Sequence, residues 1–403
     1  LAKGVIAAAR AAADAEREAL AYGLCGRILR HQAKYAEARA YLERGLAGAR
    51  AAQLPSVEAN CLRSLGIVAD LSGDRRLARS CFEQALEVHR RMGHRTDEAR
   101  ALSNLGVSVW RAGDLAGAQA IFEQAVRINR EVGARVNEGV VLANLSMVLS
   151  AKGDYAQARH YAQEALSVNR EVGSPYSVAR TLGVVASVAL EEGDYLAARA
   201  ANEEALALDR QVGDRQDEAF RLAILGLLAV QLGEHDRAEA HYEAALRLSQ
   251  EIEDRDIEMQ CWRGMALLAH QLGNQRAACS YGERALRLAQ EVKNPKGMAL
   301  CWMYLGHARL ALKETSAARA SYEHALSLGG SDVDARAGLA RVALAENDVS
   351  AALVHLEPVL EAALTDSLEG ADSRFLVYLT CYRVLRAAQD RRARPLLERA
   401  QSV

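Results

Sequence analysis

Gly73, Gly113, Gly153, Gly193, Gly233 and Gly273 stand forty residues apart, and Ala33 and Lys313 hold the same position at either end of that series. A fixed period of this length constrains a fold more than any other feature of the chain. Each unit is one supersecondary element that can bury its apolar face only against its neighbours. With the glycine position taken as zero, alanine follows five residues later in every unit: Ala38, Ala78, Ala118, Ala158, Ala198, Ala238, Ala278 and Ala318. Twelve residues after zero come Gly45, Ala85, Ala125, Ala165, Ala205, Ala245, Ala285 and Ala325, each followed by Leu or Val. Seven residues before zero come Gly26, Gly66, Gly106, Ser146, Ala186, Gly226, Ala266 and Gly306.

These spacings predict a helix–turn–helix unit. Apolar positions recur at three and four residues on both sides of the glycine. The glycine ends the first helix, because it tolerates a left-handed backbone, and the acidic residue that follows it suits the start of the second. Asp74, Asp114, Asp154, Asp194, Glu234 and Glu314 take that place. The second helix should end near Gly93, Gly133, Gly173 and Gly213, and Pro55, Pro175 and Pro295 fall two residues beyond that position, where a helix must already have stopped. The small residues mark where two helices cross closely. Composition agrees: 79 of the 403 residues are Ala and only five are Pro, the balance of a helical protein rather than a sandwich, barrel or collagen-like chain. With 50% apolar residues and a net charge of −2, disorder is excluded as well.

The unit resembles the tetratricopeptide repeat, whose pattern is W-x2-L-G followed by A-x3-F. Trp302, Leu305 and Gly306 reproduce the first part, and Ala78 with Phe82, Ala118 with Phe122, Ala238 with Tyr242 and Ala318 with Tyr322 the second. The period is forty rather than the usual ~34, a variant similar to LGN-type polarity adaptors, kinesin light chains, and the C-terminal sensor arrays of bacterial signal-transducing (STAND) ATPases and LuxR-type regulators. The resemblance implies an all-α, right-handed superhelix, an α-solenoid. The expected organisation is the end of a truncated repeat over 1–14, eight forty-residue repeats over 15–330, one shorter repeat over 331–364 and a divergent capping hairpin over 365–403. Extrapolating one period back puts Arg10 and Glu18 in the positions of a recurring Arg (Arg50, Arg90, Arg130, Arg170, Arg210) and a recurring Glu (Glu58, Glu98, Glu138, Glu218, Glu258). The chain is therefore expected to open inside a second helix, as a fragment of a longer protein, with residues 1–11 fraying first.

No catalytic signature is present: there is no phosphate-binding G-x-x-x-x-G-K-[ST], no H-E-x-x-H and no G-x-S-x-G. No cofactor or metal is expected; His235 and His241 are six residues apart and do not share a helix face. Cys61, Cys261 and Cys301 occupy one repeat position and are expected to be buried small hydrophobes rather than reactive thiols. Seven scattered cysteines without a C-x-x-C pair point to the cytoplasm. A pI near 6.6 argues against direct nucleic-acid binding, and no apolar run approaches the ~18 residues of a membrane span. Trp262 and Trp302 are read as core, and the recurring Arg and Glu as pairing across the loop or solvating it, for ~0–1 kcal/mol.

In the family, the first helices line the concave face. The corresponding positions hold Arg27, Arg63, Arg100, Asn104, Trp110, Asn144 and Arg180 in the first half, and Phe220, Gln260 and Arg263 in the second. The period does not require polar residues there. Arg presents a rigid fork to carboxylates and Asn an amide to a peptide backbone, and LGN-type adaptors use inner-face Arg and Asn in this way. The expected function is a non-catalytic scaffold for a protein or acidic peptide, the sensor or interaction arm of a larger bacterial signalling protein, with its own upstream domains as a further partner. The alternative is an autoinhibitory or oligomerisation module of a STAND-type ATPase or transcription regulator that binds a small effector.

Overall fold

The computed structural model describes residues 4, 14–329, 332–365, 368 and 374–402. Among them every regular element is an α-helix, and no strand occurs. The chain divides into two compact units, Leu1–Leu208 and Asp209–Val403. In the first lie α1 (Ala15–His31), α2 (Tyr35–Ala51), α3 (Pro55–Leu71), α4 (Arg75–Met92), α5 (Arg95–Arg111), α6 (Leu115–Glu131), α7 (Arg135–Ala151), α8 (Tyr155–Val172), α9 (Pro175–Glu191) and the start of α10 (Tyr195–Val212). The second holds α11 (Arg215–Gln231), α12 (His235–Glu251), α13 (Arg255–Gln271), α14 (Gln275–Glu291), α15 (Pro295–Ala311), α16 (Thr315–Ser327), α17 (Asp332–Ala345), α18 (Val349–Thr365), α19 (Arg374–Ala387) and α20 (Ala393–Ser402). Helices pack on their neighbours in sequence, as α1 does on α2 and α7 on α8, and several first helices also pack on the first helix of the following pair, as α1 does on α3, α5 on α7 and α13 on α15. The expected opening inside a second helix falls on residues 1–13, all but residue 4 of which lie outside the described residues.

One residue both closes the first helix of a pair and opens the second. Gly73 takes φ +83°, a left-handed conformation. This turns the Asp74 N–H back onto the Ala69 carbonyl at 2.9 Å, while the Asp74 carboxylate accepts from Leu77 N at 3.2 Å. The carboxylate is thus a hydrogen-bonding N-cap and not only a charge near the helix dipole. The same bonds recur at Asp114 and Asp154. Ala33 and Lys313 adopt φ +55° and +64° in the equivalent turns, where a side chain is strained. Lys313→Gly is accordingly expected to raise stability by about 0.5–1 kcal/mol, glycine's extra unfolded-state entropy offsetting part of the relief. A Tm unchanged or lowered in thermal denaturation would contradict it.

The core repeats a size match between the two helices of a pair. A Cβ on Gly66 would lie 2.6 Å from Phe82 Cε1, and one on Gly106 2.6 Å from Phe122 Cε1. Where the aromatic is replaced by Ala162, the facing position carries Ser146, whose hydroxyl donates to the Ala158 carbonyl at 2.7 Å. A larger residue on one side of the crossing thus accompanies a smaller one on the other, so size is traded in part across it.

The recurring Arg and Glu do pair across the loop: Arg50–Glu58 at 2.8 Å, Arg90–Glu98 at 3.1 Å, Arg130–Glu138 at 2.9 Å and Arg210–Glu218 at 2.7 Å. They are not the exposed pairs the pattern implied. Glu138 is 1% exposed and is also held by Arg135 at 2.7 Å, and Arg135 reaches on to Glu171. A buried carboxylate clamped by two half-exposed guanidiniums fixes the joint between consecutive pairs.

Candidate functional site

The first helices of the Leu1–Leu208 unit bring several expected site residues together. Arg27 and Arg30 on α1 and Arg100 on α5 are each close enough to repel Arg63 on α3. Arg63 is half-buried, and its pKa falls below the ordinary arginine value, first through desolvation and then through the charges of Arg100, Arg27 and Arg30. The nearest compensating carboxylate, Asp97, already bonds Arg100 at 3.1 Å.

The other arginines of the same unit are of two kinds. Arg39, Arg79, Arg130 and Arg170 are each paired with a glutamate. Among the described residues, Arg27, Arg63 and Arg180 have no ion pair, and Arg180 instead lies 5.7 Å from the Tyr176 ring centre. Arg44, Arg75, Arg76, Arg91 and Arg127 of the unit likewise have no ion pair among the described residues, but they are exposed, whereas Arg63 is half-buried. Asn104 and Asn144 are half-buried, and their amides make no hydrogen bond among the described residues. Beside Asn144 on α7, Val140 and Met147 are exposed apolar side chains. Trp110 is set back: it is partly buried and packs on the core that contains Phe82 and Phe122.

In the Asp209–Val403 unit, Gln260 and Arg263 on α13 line a cavity of about 220 Å³ together with Ile224, Leu227, Tyr242 and Tyr304. Phe220 is partly buried, with the Arg221 guanidinium 5.9 Å from its ring centre. A wider cavity of about 540 Å³ is lined by Trp302, His324, Arg309 and Cys279. Its groups are already engaged, with Trp302 stacked on His324 at 4.7 Å and Arg309 bonded to Ser321 at 2.9 Å. Trp262 and Trp302 pack against the cluster of Met259, Leu286 and Leu305, as expected of core residues.

Chemistry of other kinds finds little support. Cys61, Cys261 and Cys301 are buried, and burial pushes their thiols up to about 11, 12 and 11, away from reactive thiolate behaviour. His89, His94 and Asp97 each place one ligand atom within 4.8 Å of the others. The sequence reading did not single them out, although a His-x4-His-x2-Asp spacing was there to find. Asp97 is engaged by Arg100, and Arg63 and Arg100 bring positive charge to His89, so the grouping is a poor place for a cation. No helix of the described residues is long and apolar enough to cross a membrane.

A tetratricopeptide-repeat family model matches residues 17–91, 57–131, 97–171, 135–211, 177–251 and 218–291. Its first three matches begin forty residues apart, in step with the glycines. Three solved structures share the architecture. A signal-transduction ATPase with numerous domains (STAND) with a tetratricopeptide-repeat sensor, from Pyrococcus horikoshii, aligns at TM-score 0.59 and 14% identity over 82% of this chain. The chain spans 54%, about half, of that protein's length. The apo quorum sensor NprR of B. thuringiensis aligns at TM-score 0.62 and 15% identity, over 79% of this chain and 89% of its own. A Rap protein complexed with competence and sporulation factor aligns at TM-score 0.56 and 14% identity, over 78% and 85%. At such identities the likeness is one of fold. No curated protein sequence gives a significant match.

Proposed function

This chain belongs to the tetratricopeptide-repeat family, and from that premise we propose that it is a non-catalytic scaffold whose first-helix surface captures a protein or an acidic peptide. One observation carries the reading. Arg27, Arg30 and Arg100 all act on the half-buried Arg63, and Asp97, the carboxylate that offsets them there, is already bonded to Arg100. Four like charges held together cost stability unless something anionic completes them. The free amides of Asn104 and Asn144 suit the backbone of such a ligand, and Val140 and Met147 give apolar contact along the same helices. The Rap neighbour was captured with a bound factor, which supports ligand binding as the use of this architecture. The described cysteines are all free, as suits a cytoplasmic protein.

Each anchoring arginine is expected to contribute about 1.5–3 kcal/mol through charge-assisted hydrogen bonds, roughly a tenfold to hundredfold change in affinity. Fluorescence anisotropy with a labelled glutamate-rich peptide should show that loss for Arg63→Ala and for Arg100→Ala. Binding should also weaken with added salt. Removing Arg63 relieves repulsion, so its variant should melt no lower than the parent. Equal affinity for parent and variants would remove the patch from the account.

A second reading is a sensor module of a STAND-type ATPase or transcription regulator that binds a small effector. The cavity beside Arg263 supports it, since about 220 Å³ lined by Ile224, Leu227, Tyr242 and Tyr304 has room only for a small molecule.

A further inference from the structure

The two buried tyrosines at helix crossings of the Asp209–Val403 unit are treated differently. Tyr322 on α16 and Tyr242 on α12 sit one double period apart and are packed alike, each ring against the glycine of its own pair, Gly306 or Gly226. The Tyr322 hydroxyl is satisfied by His307 Nδ1 at 2.7 Å. The position that supplies His307 in that pair is Leu227 in the pair of Tyr242. The Tyr242 side chain is 2% exposed, and among the described residues its hydroxyl has no hydrogen-bond partner. An orphaned buried hydroxyl costs about 1–3 kcal/mol, so something in the adjoining space should complete it.

That space is the cavity of about 220 Å³. Ala223, Ile224, Leu227, Leu267 and Leu300 make its walls apolar, and Gly264 leaves room where a Cβ would come within 2.4 Å of the Tyr242 oxygen. Two polar side chains, Gln260 and Arg263, complete the lining with Tyr304. Among the described residues neither has a hydrogen-bond or ion-pair partner. An apolar cup of this size admits one branched side chain. An unpaired guanidinium at its wall calls for a carboxylate, and the free amide and hydroxyl offer further hydrogen bonds.

We propose that this cavity is a binding site for an apolar residue bearing a free α-carboxylate, with the side chain in the cup, the carboxylate on Arg263, and the Tyr242 hydroxyl and Gln260 amide on the remaining oxygens. The chemistry is shared by a free amino acid such as leucine and by the C-terminal residue of a peptide. The proposal rests on reading the first-helix surface as a ligand surface. Its residues all belong to the Asp209–Val403 unit, so it fails or stands separately from the arginine patch around Arg63.

The test is calorimetric titration of the whole chain with N-acetyl-leucine, leucine, a short peptide ending in free leucine, and the same peptide amidated. The expected result is binding of the carboxylate forms, with at least a tenfold loss on amidation and again in Arg263→Ala. Stronger binding of the peptide than of leucine assigns the site to a chain end, and the reverse assigns it to a free amino acid. Leu227→His should abolish binding while leaving the fold intact, because it installs at Tyr242 the partner that His307 gives Tyr322. Tyr242→Phe should weaken binding severalfold without lowering the Tm, phenylalanine being the residue at the equivalent positions 82 and 122. Equal affinity for acid and amide, or unchanged binding in both Arg263→Ala and Leu227→His, overturns the proposal. So does absence of binding at millimolar concentration, which leaves the cavity to water.

Discussion

Phe122→Ala is expected to destabilise its repeat by about 3–5 kcal/mol, through lost transfer energy and the cavity left behind. The ring is fully buried, at 0% exposure, and it fills the space opened by Gly106, whose missing Cβ would stand 2.6, 2.8 and 2.9 Å from three ring carbons. Gly106→Ala should cost less, about 1–3 kcal/mol, because it overpacks the site rather than emptying it. The informative variant carries both changes. Ser146 faces Ala162 at the corresponding crossing of α7 and α8, and there the pair is tightly closed by the Ser146–Ala158 bond at 2.7 Å. A methyl placed opposite a removed ring should therefore recover part of the loss, so the double variant should be more stable than the sum of the two single costs by about 0.5–3 kcal/mol. Urea denaturation followed by circular dichroism, with hydrogen exchange in α5 and α6 to localise the effect, gives the three numbers. Strict additivity would refute the idea that the two residues trade size across the crossing.

The helix pairs were legible because their determinants are local and recur. A left-handed glycine, an N-capping aspartate and a small residue at the crossing each act within a few residues, and the period multiplies the signal. The correct weight of Glu138 was not legible. Arg and Glu eight residues apart look like solvent-exposed decoration, and burial of the glutamate to 1% exposure follows only from how α7 sits against the end of α6. The site divides in the same way. The positions of Arg27, Arg63 and Arg100 could be read from the repeat register, whereas the burial of Arg63 among them, with Asp97 taken up by Arg100, depends on how the helices pack. The cavity at Tyr242 was out of reach for a further reason. Its signal is an absence, leucine where another pair has histidine, and that substitution carries meaning only once positions 227 and 242 are known to face each other.

A column of buried polar residues at one repeat position yields the second large effect. His89, Asn129, Asn169, Asp209 and Ser249 stand forty residues apart and are all buried. Asn169 donates to Thr181 Oγ1 at 2.8 Å, and the same two positions one period later hold Asp209 and Arg221, an ion pair at 3.3 Å with side chains 1% and 7% exposed. Arg221→Thr leaves the Asp209 carboxylate buried without its cation and is expected to cost about 3–5 kcal/mol. Asp209→Asn added to it recreates the neutral pair of Asn169 and Thr181, and should return stability to that of the parent or above, because well-packed neutral groups often match a buried ion pair. A pH dependence separates this account from a mere loss of packing. Burial already raises the Asp209 carboxyl above the ordinary carboxylate range, with Arg221 opposing it, and removing Arg221 raises it further. A carboxyl whose folded pKa exceeds its unfolded value stabilises the fold below the unfolded value, about 3.9, and loses that contribution as pH rises through the folded one. The deficit of Arg221→Thr relative to the parent should thus widen as pH rises from the parent's already raised Asp209 value toward the still higher one of the variant, and the double variant should lack that slope. Parallel melting curves from pH 4 to 8 check this, and a deficit independent of pH would assign the loss to packing rather than to the stranded carboxylate.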